Sequence, residues 1–215
     1  MDEKEKQRIF NMLKIEKEKR NLGCKYIAGI DEAGRGPLCS PVVVASVILP
    51  DDIDIVGIND SKKISEKKRE LLYNEIIAKA LSYNIQIVSV DKIEELNILG
   101  ATKYGMKKCA ENLSVKPDFV LIDGNQKIDI DIPFETVVSG DSKSLSIAAA
   151  SILAKVTRDR LLIELDEKYP EYGFKSHKGY GTKKHVEAIL KYGMIKGVHR
   201  PSFCKKIFEK NIKNK

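Results

Sequence analysis

The chain has 215 residues, with 38 Lys+Arg against 31 Asp+Glu and a formal net charge of +7. That length suits one full-sized domain with a small appendage, and 42% hydrophobic with 32% charged residues excludes a disordered or membrane-embedded chain. No apolar run reaches the roughly 18–20 residues that cross a bilayer, MDEKEKQRIF has no apolar signal core, and Cys24, Cys39, Cys109 and Cys204 lack framework spacing, so a cytoplasmic protein with reduced thiols is expected.

The first twenty residues hold seven basic and five acidic side chains, with Ile9, Phe10, Leu13 and Lys17 at helical spacing. They predict one mostly solvated helix with a thin apolar stripe, stopped by Asn21-Leu22-Gly23. Tyr26–Ile30 and Val42–Leu49 read as two strands joined by the Gly/Pro-rich AGRGPLCSP loop. Ser65 is the expected N-cap of a helix through about Leu81, and Ile85–Val90 is a third strand. Helical patterns follow around 93–97 and 101–113. Phe119–Ile122 is an all-apolar strand of the kind covered on both faces, and Thr136–Val138 is a fifth, short strand. The longest helical pattern runs from Leu145 to about Lys168, ended by Tyr169-Pro170. A Gly/Tyr/Lys/His stretch, a helix near Thr182–Tyr192 and a basic helix near Ser202–Ile212 close the chain, with KNIKNK as a loose basic tail. The expected architecture is α/β: a mixed five-stranded sheet flanked by helices, with a small C-terminal helical extension. It divides into an N-terminal helical extension (1–22), a central domain (23–170) and a basic extension (171–215).

Charge follows that division. Residues 171–215 carry 12 Lys+Arg and 3 Asp+Glu, net +9, which leaves −2 for residues 1–170. A basic segment on a near-neutral body points to a polyanion, nucleic acid before an anionic membrane. Three acidic sites share one position, where an apolar strand gives way to glycine: Asp31-Glu32, Asp123 and Asp141. Carboxylates converging at strand ends cannot all stay ionised without a cation. Hard oxygen donors with no His or Cys partner select Mg²⁺ or Mn²⁺, and such a set suits two-metal phosphoryl chemistry. In Gly34-Arg35-Gly36 the glycines let the backbone approach a ligand, and Arg35 faces phosphate or supports the carboxylates. Tyr180, between two glycines in SHKGYGTKKH, offers a ring face to a sugar or base, with lysines on phosphates. The histidines have no zinc-ligand spacing with the cysteines.

Five stretches together resemble the ribonuclease HII family: AGIDEAGRGP (28–37), INDSKKIS (58–65), VKPDFVLIDG (115–124), GDSKSLSIAAASILAKVTRDR (140–160) and HKGYGTKKH (177–185). The resemblance implies a ribonuclease H-like fold, Mn²⁺ or Mg²⁺ as cofactor, and RNA–DNA hybrid and ribonucleotide-containing duplex DNA as substrates. It also implies nicking 5′ of a single ribonucleotide, 3′-hydroxyl and 5′-phosphate ends, and a role in ribonucleotide and primer removal during replication and repair. By the same resemblance Asp31, Glu32, Asp123 and Asp141 are the catalytic metal ligands. Gly34, Arg35 and Gly36 read the 2′-hydroxyl through the backbone, Tyr180 stacks on the next sugar, and Asn59, Lys62 and Lys178 hold phosphates. The related ribonuclease HIII usually has GKG and a larger N-terminal domain, whereas this chain has Arg35 and only about twenty-five residues before its first strand. Cys39-Ser40 departs from the usual Ala-Gly, which leaves oxidation of a thiol near the site as an open question. A monomer is expected, with no membrane association, and docking on a replication clamp stays open. Two other readings compete: a two-metal nuclease for DNA junctions on the same fold, and a non-catalytic nucleic-acid binder whose acids only make turns.

Overall fold

The computed structural model describes residues 2–213, with side chains through residue 209. Two short helices, α1 (Glu3–Met12) and α2 (Lys14–Asn21), stand where one was expected, with Leu13 turning between them. They are less solvated than their charge suggested. Ile9, Met12 and Leu13 enter the largest core cluster, whereas Phe10 stays half exposed beneath the Lys17 ammonium.

The sheet is the mixed five-stranded one expected. Strands β1 (Ile27–Ala33) and β2 (Val42–Ile48) form an antiparallel pair, extended on the β2 side by antiparallel β3 (Ser82–Val88). On the β1 side, β4 (Phe119–Asp123) and β5 (Phe134–Val137) add in parallel, giving the order β3-β2-β1-β4-β5. Strand β3 begins earlier than expected and ends at Val88, because Ser89 caps the next helix by accepting from Lys92 N.

Helix α3 (Glu66–Lys79) starts on the expected Ser65 cap. The two helical patterns after β3 belong to one element, α4 (Val90–Glu111), kinked at Asn97, whose side chain accepts from Leu99 N and Gly100 N. Helix α5 (Leu145–Lys168) has the expected bounds. Alternation along β2 splits the core. Val43, Ala45 and Val47 pack with α5, α3 and the N-terminal helices, and Val44 and Ile48 pack with α4. Helix α5 lies unusually close to β1: a Cβ on Gly29 would sit 2.2 Å from the Ser146 carbonyl carbon. The fully buried Glu16 of α2 accepts from Ser144 Oγ (2.6 Å) and Ser146 N (3.0 Å), placing a carboxylate at the α5 N-terminus, where the helix dipole favours it.

Beyond α5 come α6 (Phe174–His177), α7 (Lys183–Tyr192) and α8 (Pro201–Lys213). The helix therefore takes in most of the segment read as a loose tail, and residues 214–215 of KNIKNK lie outside the described residues. This C-terminal part folds back on the loop after β1: Leu38 N donates to Gly179 O, and Ser40 N to Val198 O at 2.7 Å. No described helix is long and apolar enough to cross a membrane.

Candidate active site

The strand register brings the acids together. Ile30 pairs with Ile122 in the parallel β1–β4 ladder, and the next residues on the two strands are Asp31 and Asp123. Asp31 is 6% exposed, and its Oδ1 accepts from Glu32 N at 2.7 Å. Asp123 Oδ1 accepts from Gly140 N at 2.7 Å, tying the end of β4 to the tight turn that carries Asp141. The charges feel one another. Burial, then Glu32 and Asp123, push Asp31 well above the usual carboxylate range. Burial raises Glu32 too, against the opposing Arg35 guanidinium 3.3 Å away. Burial, Asp60 and Asp123 raise Asp141. Burial works against the Lys62 ammonium, yet Asp141, Asp60, Asp31 and Asp123 together hold its pKa above the ordinary lysine value.

Among the described residues no three acidic, His or Cys side chains reach metal-coordinating spacing. The donor set nonetheless fits a hard divalent cation. It offers carboxylate oxygens in excess of the neighbouring Lys62 and Arg35, and no imidazole or thiolate competes within it.

One cleft of about 300 Å³ is lined by Asp31, Glu32, Gly34, Arg35, Gly36, Lys62 and Tyr180. Tyr180 is 51% exposed, and its ring edge lies 3.6 Å from where a Gly36 Cβ would stand. Asp123 lines a smaller adjoining cavity of about 70 Å³ with Glu32 and Arg35. Two expected residues sit apart. Asn59 accepts from Asp60 N and lines a different cleft, between the N-terminal helices and Ser142-Lys143. The Lys178 ammonium points towards Glu66, 3.8 Å away.

Three further residues belong to the site without having been singled out. Asp60 is a fifth acid, beside Asp141, and also caps the turn that holds Lys62. Arg158 of α5, 1% exposed, fills the space under Gly34, where a Cβ would lie 2.1 Å from its Nε, and donates to Lys178 O at 3.1 Å. Gly34 also needs its φ of +98°. Arg200, fully buried, donates to the carbonyls of Gly34 (2.7 Å), Arg35 (3.0 Å), Pro37 (3.0 Å) and Ser40 (2.7 and 3.0 Å). Burial lowers its pKa to about 10, so it stays charged at neutral pH. The glycine loop is thus shaped from within by one guanidinium. A signal for Asp60 existed in NDSK, where the Asn-Asp-Ser run reads first as a turn.

The chain matches the family model described as Ribonuclease HII over residues 28–206. It is 56% identical over 203 residues to the ribonuclease HII of Acetivibrio thermocellus, covering 94% of this chain and 79% of that one. The crystal structure of the ribonuclease H2 from Pyrococcus horikoshii OT3 is similar at TM-score 0.72 and 27% identity, over 86% of this chain and 98% of that one. The ribonuclease HII in a complex with PCNA from Archaeoglobus fulgidus is similar at TM-score 0.68 and 28% identity, over 81% of this chain and 94% of that one. Sequence likeness along nearly the whole chain and the shared fold agree with acids gathered at the strand ends: the chain belongs to the ribonuclease HII family, the ribonuclease H endonucleases that degrade the RNA of RNA–DNA hybrids.

Proposed function

We propose that this chain also nicks 5′ of single ribonucleotides embedded in duplex DNA, by a two-metal-ion mechanism that leaves 3′-hydroxyl and 5′-phosphate ends. The observation that carries the reading is one cleft that Asp31 and Glu32 share with a glycine loop and an exposed tyrosine. Asp31, Glu32, Asp123 and Asp141 would hold Mg²⁺ or Mn²⁺, with Asp60 close behind Asp141. When bound, the ions would supply an activated water and offset charge on the leaving oxygen.

The chain's own groups do the selecting. RNA differs from DNA at one hydroxyl, so discrimination needs groups aimed at the 2′-position. Backbone groups of Gly34, Arg35 and Gly36 meet it without a side chain that would also accept deoxyribose. Tyr180 stacks on the following sugar, which allows one ribonucleotide to suffice. Lys62 steadies a phosphate from the rim of the acids, Asn59 takes one in the adjoining cleft, and Lys178 takes one on leaving Glu66. In this scheme residues 23–170 form the catalytic domain, 171–215 grip the duplex and 1–22 brace the core. The protein acts as a monomer in the cytoplasm, removing ribonucleotides and RNA primers. The archaeal relative's complex with PCNA supports clamp docking as an added feature.

The test is cleavage of duplex DNA bearing one ribonucleotide, with Mg²⁺, Mn²⁺ or EDTA. Nicking 5′ of the ribonucleotide with either ion and none in EDTA is expected, and full activity in excess EDTA overturns the metal mechanism. Asp123→Asn should remove most turnover while hybrid binding persists, whereas equal loss of both would mean a folding defect. Cutting of a ribose-free duplex would favour a DNA junction nuclease instead.

A further inference from the structure

Three histidines gather in the C-terminal segment, away from the carboxylates. His185 and His199 are buried, His177 is half-buried, and all six ring nitrogens have partners. The partners dictate where the protons sit. Ile195 N–H donates to His199 Nδ1 at 2.9 Å, so His199 carries its proton on Nε2 and donates to His185 Nε2 at 3.3 Å. His185 then carries its proton on Nδ1 and donates to the Tyr180 carbonyl at 2.9 Å. His177 stacks on His185 with ring centroids 4.3 Å apart, accepts from Gly179 N at 3.2 Å and donates to the Tyr172 carbonyl at 2.8 Å.

The two branches meet on one short segment. Gly179 and Gly181 flank Tyr180 and lend it no stiffness of their own. What fixes the Tyr180 peptide is its N–H on His177 O, its carbonyl on Thr182 N, and the His185 donor. Its ring is left exposed beside Gly36.

We propose that His185, backed by His199 and His177, is a positioning residue that aims Tyr180 at the cleft and thereby sets the preference for an isolated ribonucleotide over a long hybrid. This rests on Tyr180 being the stacking group. In a long hybrid every residue of the strand offers a 2′-hydroxyl, so a misaimed ring costs less there. Burial supports the neutral arrangement by lowering both His185 and His199 to a pKa of about 4.

The experiment uses the full chain and two substrates, a duplex with one ribonucleotide and a long hybrid. His185→Leu removes the donor, His185→Asn returns an N–H near the Nδ1 position, and His185→Gln keeps an amide but displaces it. His185→Leu should lower the single-ribonucleotide rate about tenfold relative to the hybrid rate. His185→Asn should restore most of it, and His185→Leu should add nothing to Tyr180→Ala. If His185→Leu does not fold, judged by thermal melting, His185→Gln takes its place in the same comparison. Equal loss on both substrates, or full additivity with Tyr180→Ala, overturns the positioning role. If Tyr180→Ala alone leaves the substrate ratio unchanged, the stacking reading is what fails.

Discussion

Ser40 takes φ +73°, a left-handed conformation that costs a residue bearing a Cβ about 1–2 kcal/mol. Two bonds from Arg200 to its carbonyl and one from its N–H to Val198 O hold it there. Glycine meets the same geometry freely. Ser40→Gly should therefore stabilise the protein by about 0.5–1 kcal/mol, net of the greater freedom glycine gives the unfolded chain. Denaturant unfolding checks this, and a lower midpoint would mean that the serine hydroxyl's bond to Pro41 O outweighs the strain. The neighbouring Cys39 is fully buried, and burial pushes its thiol up to about 12, which disfavours the thiolate that oxidation needs. The acids at 31, 32, 123 and 141 were legible because an apolar strand running into glycine is a local pattern. Arg158 and Arg200 were not. A buried guanidinium looks like any surface cation until the carbonyls it serves, contributed by a distant segment, are known.

Among the elements, α5 is held at its N-terminus by Glu16. Glu16→Ala strands the Ser144 hydroxyl and the Ser146 N–H, at about 1–3 kcal/mol for buried groups left unpaired. Glu16→Gln keeps an acceptor and should cost less. Chemical unfolding separates the two, and equal midpoints for the two variants would show that the retained acceptor recovers nothing there. The histidine group supplies a pH dependence. The unfolded chain takes up protons at an ordinary pKa of 6.5, whereas folded His185 and His199 resist until about 4. Stability is then full above about 6.5 and falls as the pH drops towards 4. Among the described residues neither ring bonds a carboxylate that would keep a proton on it; their neighbours are His177, Tyr172 and Phe174. The raised Asp31, Glu32 and Asp141 act in the opposite sense over the same range, so the histidine contribution is read against His185→Gln. The wild type should lose more melting temperature than the variant between pH 7 and 4, and parallel profiles would contradict the buried neutral arrangement. Element bounds were legible where caps mark them, as at Ser65, and for α5 where Tyr169-Pro170 stops the helix. The start of β3 was not, because edge-strand polar residues such as Asn84 and Gln86 blur the apolar signal. Nor was the turn at Leu13, which serves packing of Ile9 and Met12 and has no local marker.

At the scale of the whole molecule, the acidic site and the basic C-terminal segment have opposed tasks. The sequence shows the −2 and +9 division, but not that the segment folds back on the loop after β1, since that contact links residues far apart. Hybrid binding should weaken linearly in log–log form with salt, by about 0.9 per duplex phosphate neutralised. Lys183, almost fully exposed, and Lys184 are placed to contribute. Replacing both with Gln should flatten the slope by about 1–2 and leave metal dependence untouched. An unchanged slope would remove α7 from the duplex-facing surface.

Arg200 stands 166 positions after Gly34, whose carbonyl it supports. Synthesis runs from the N-terminus, so every acid of the site leaves the ribosome before the guanidinium that shapes the glycine loop. A nascent chain, or one cut short before residue 200, would carry the acids beside a glycine loop that lacks this support. Tying the glycine loop to a residue made so much later means that the cleft takes its final shape only once the C-terminal segment has folded back on it.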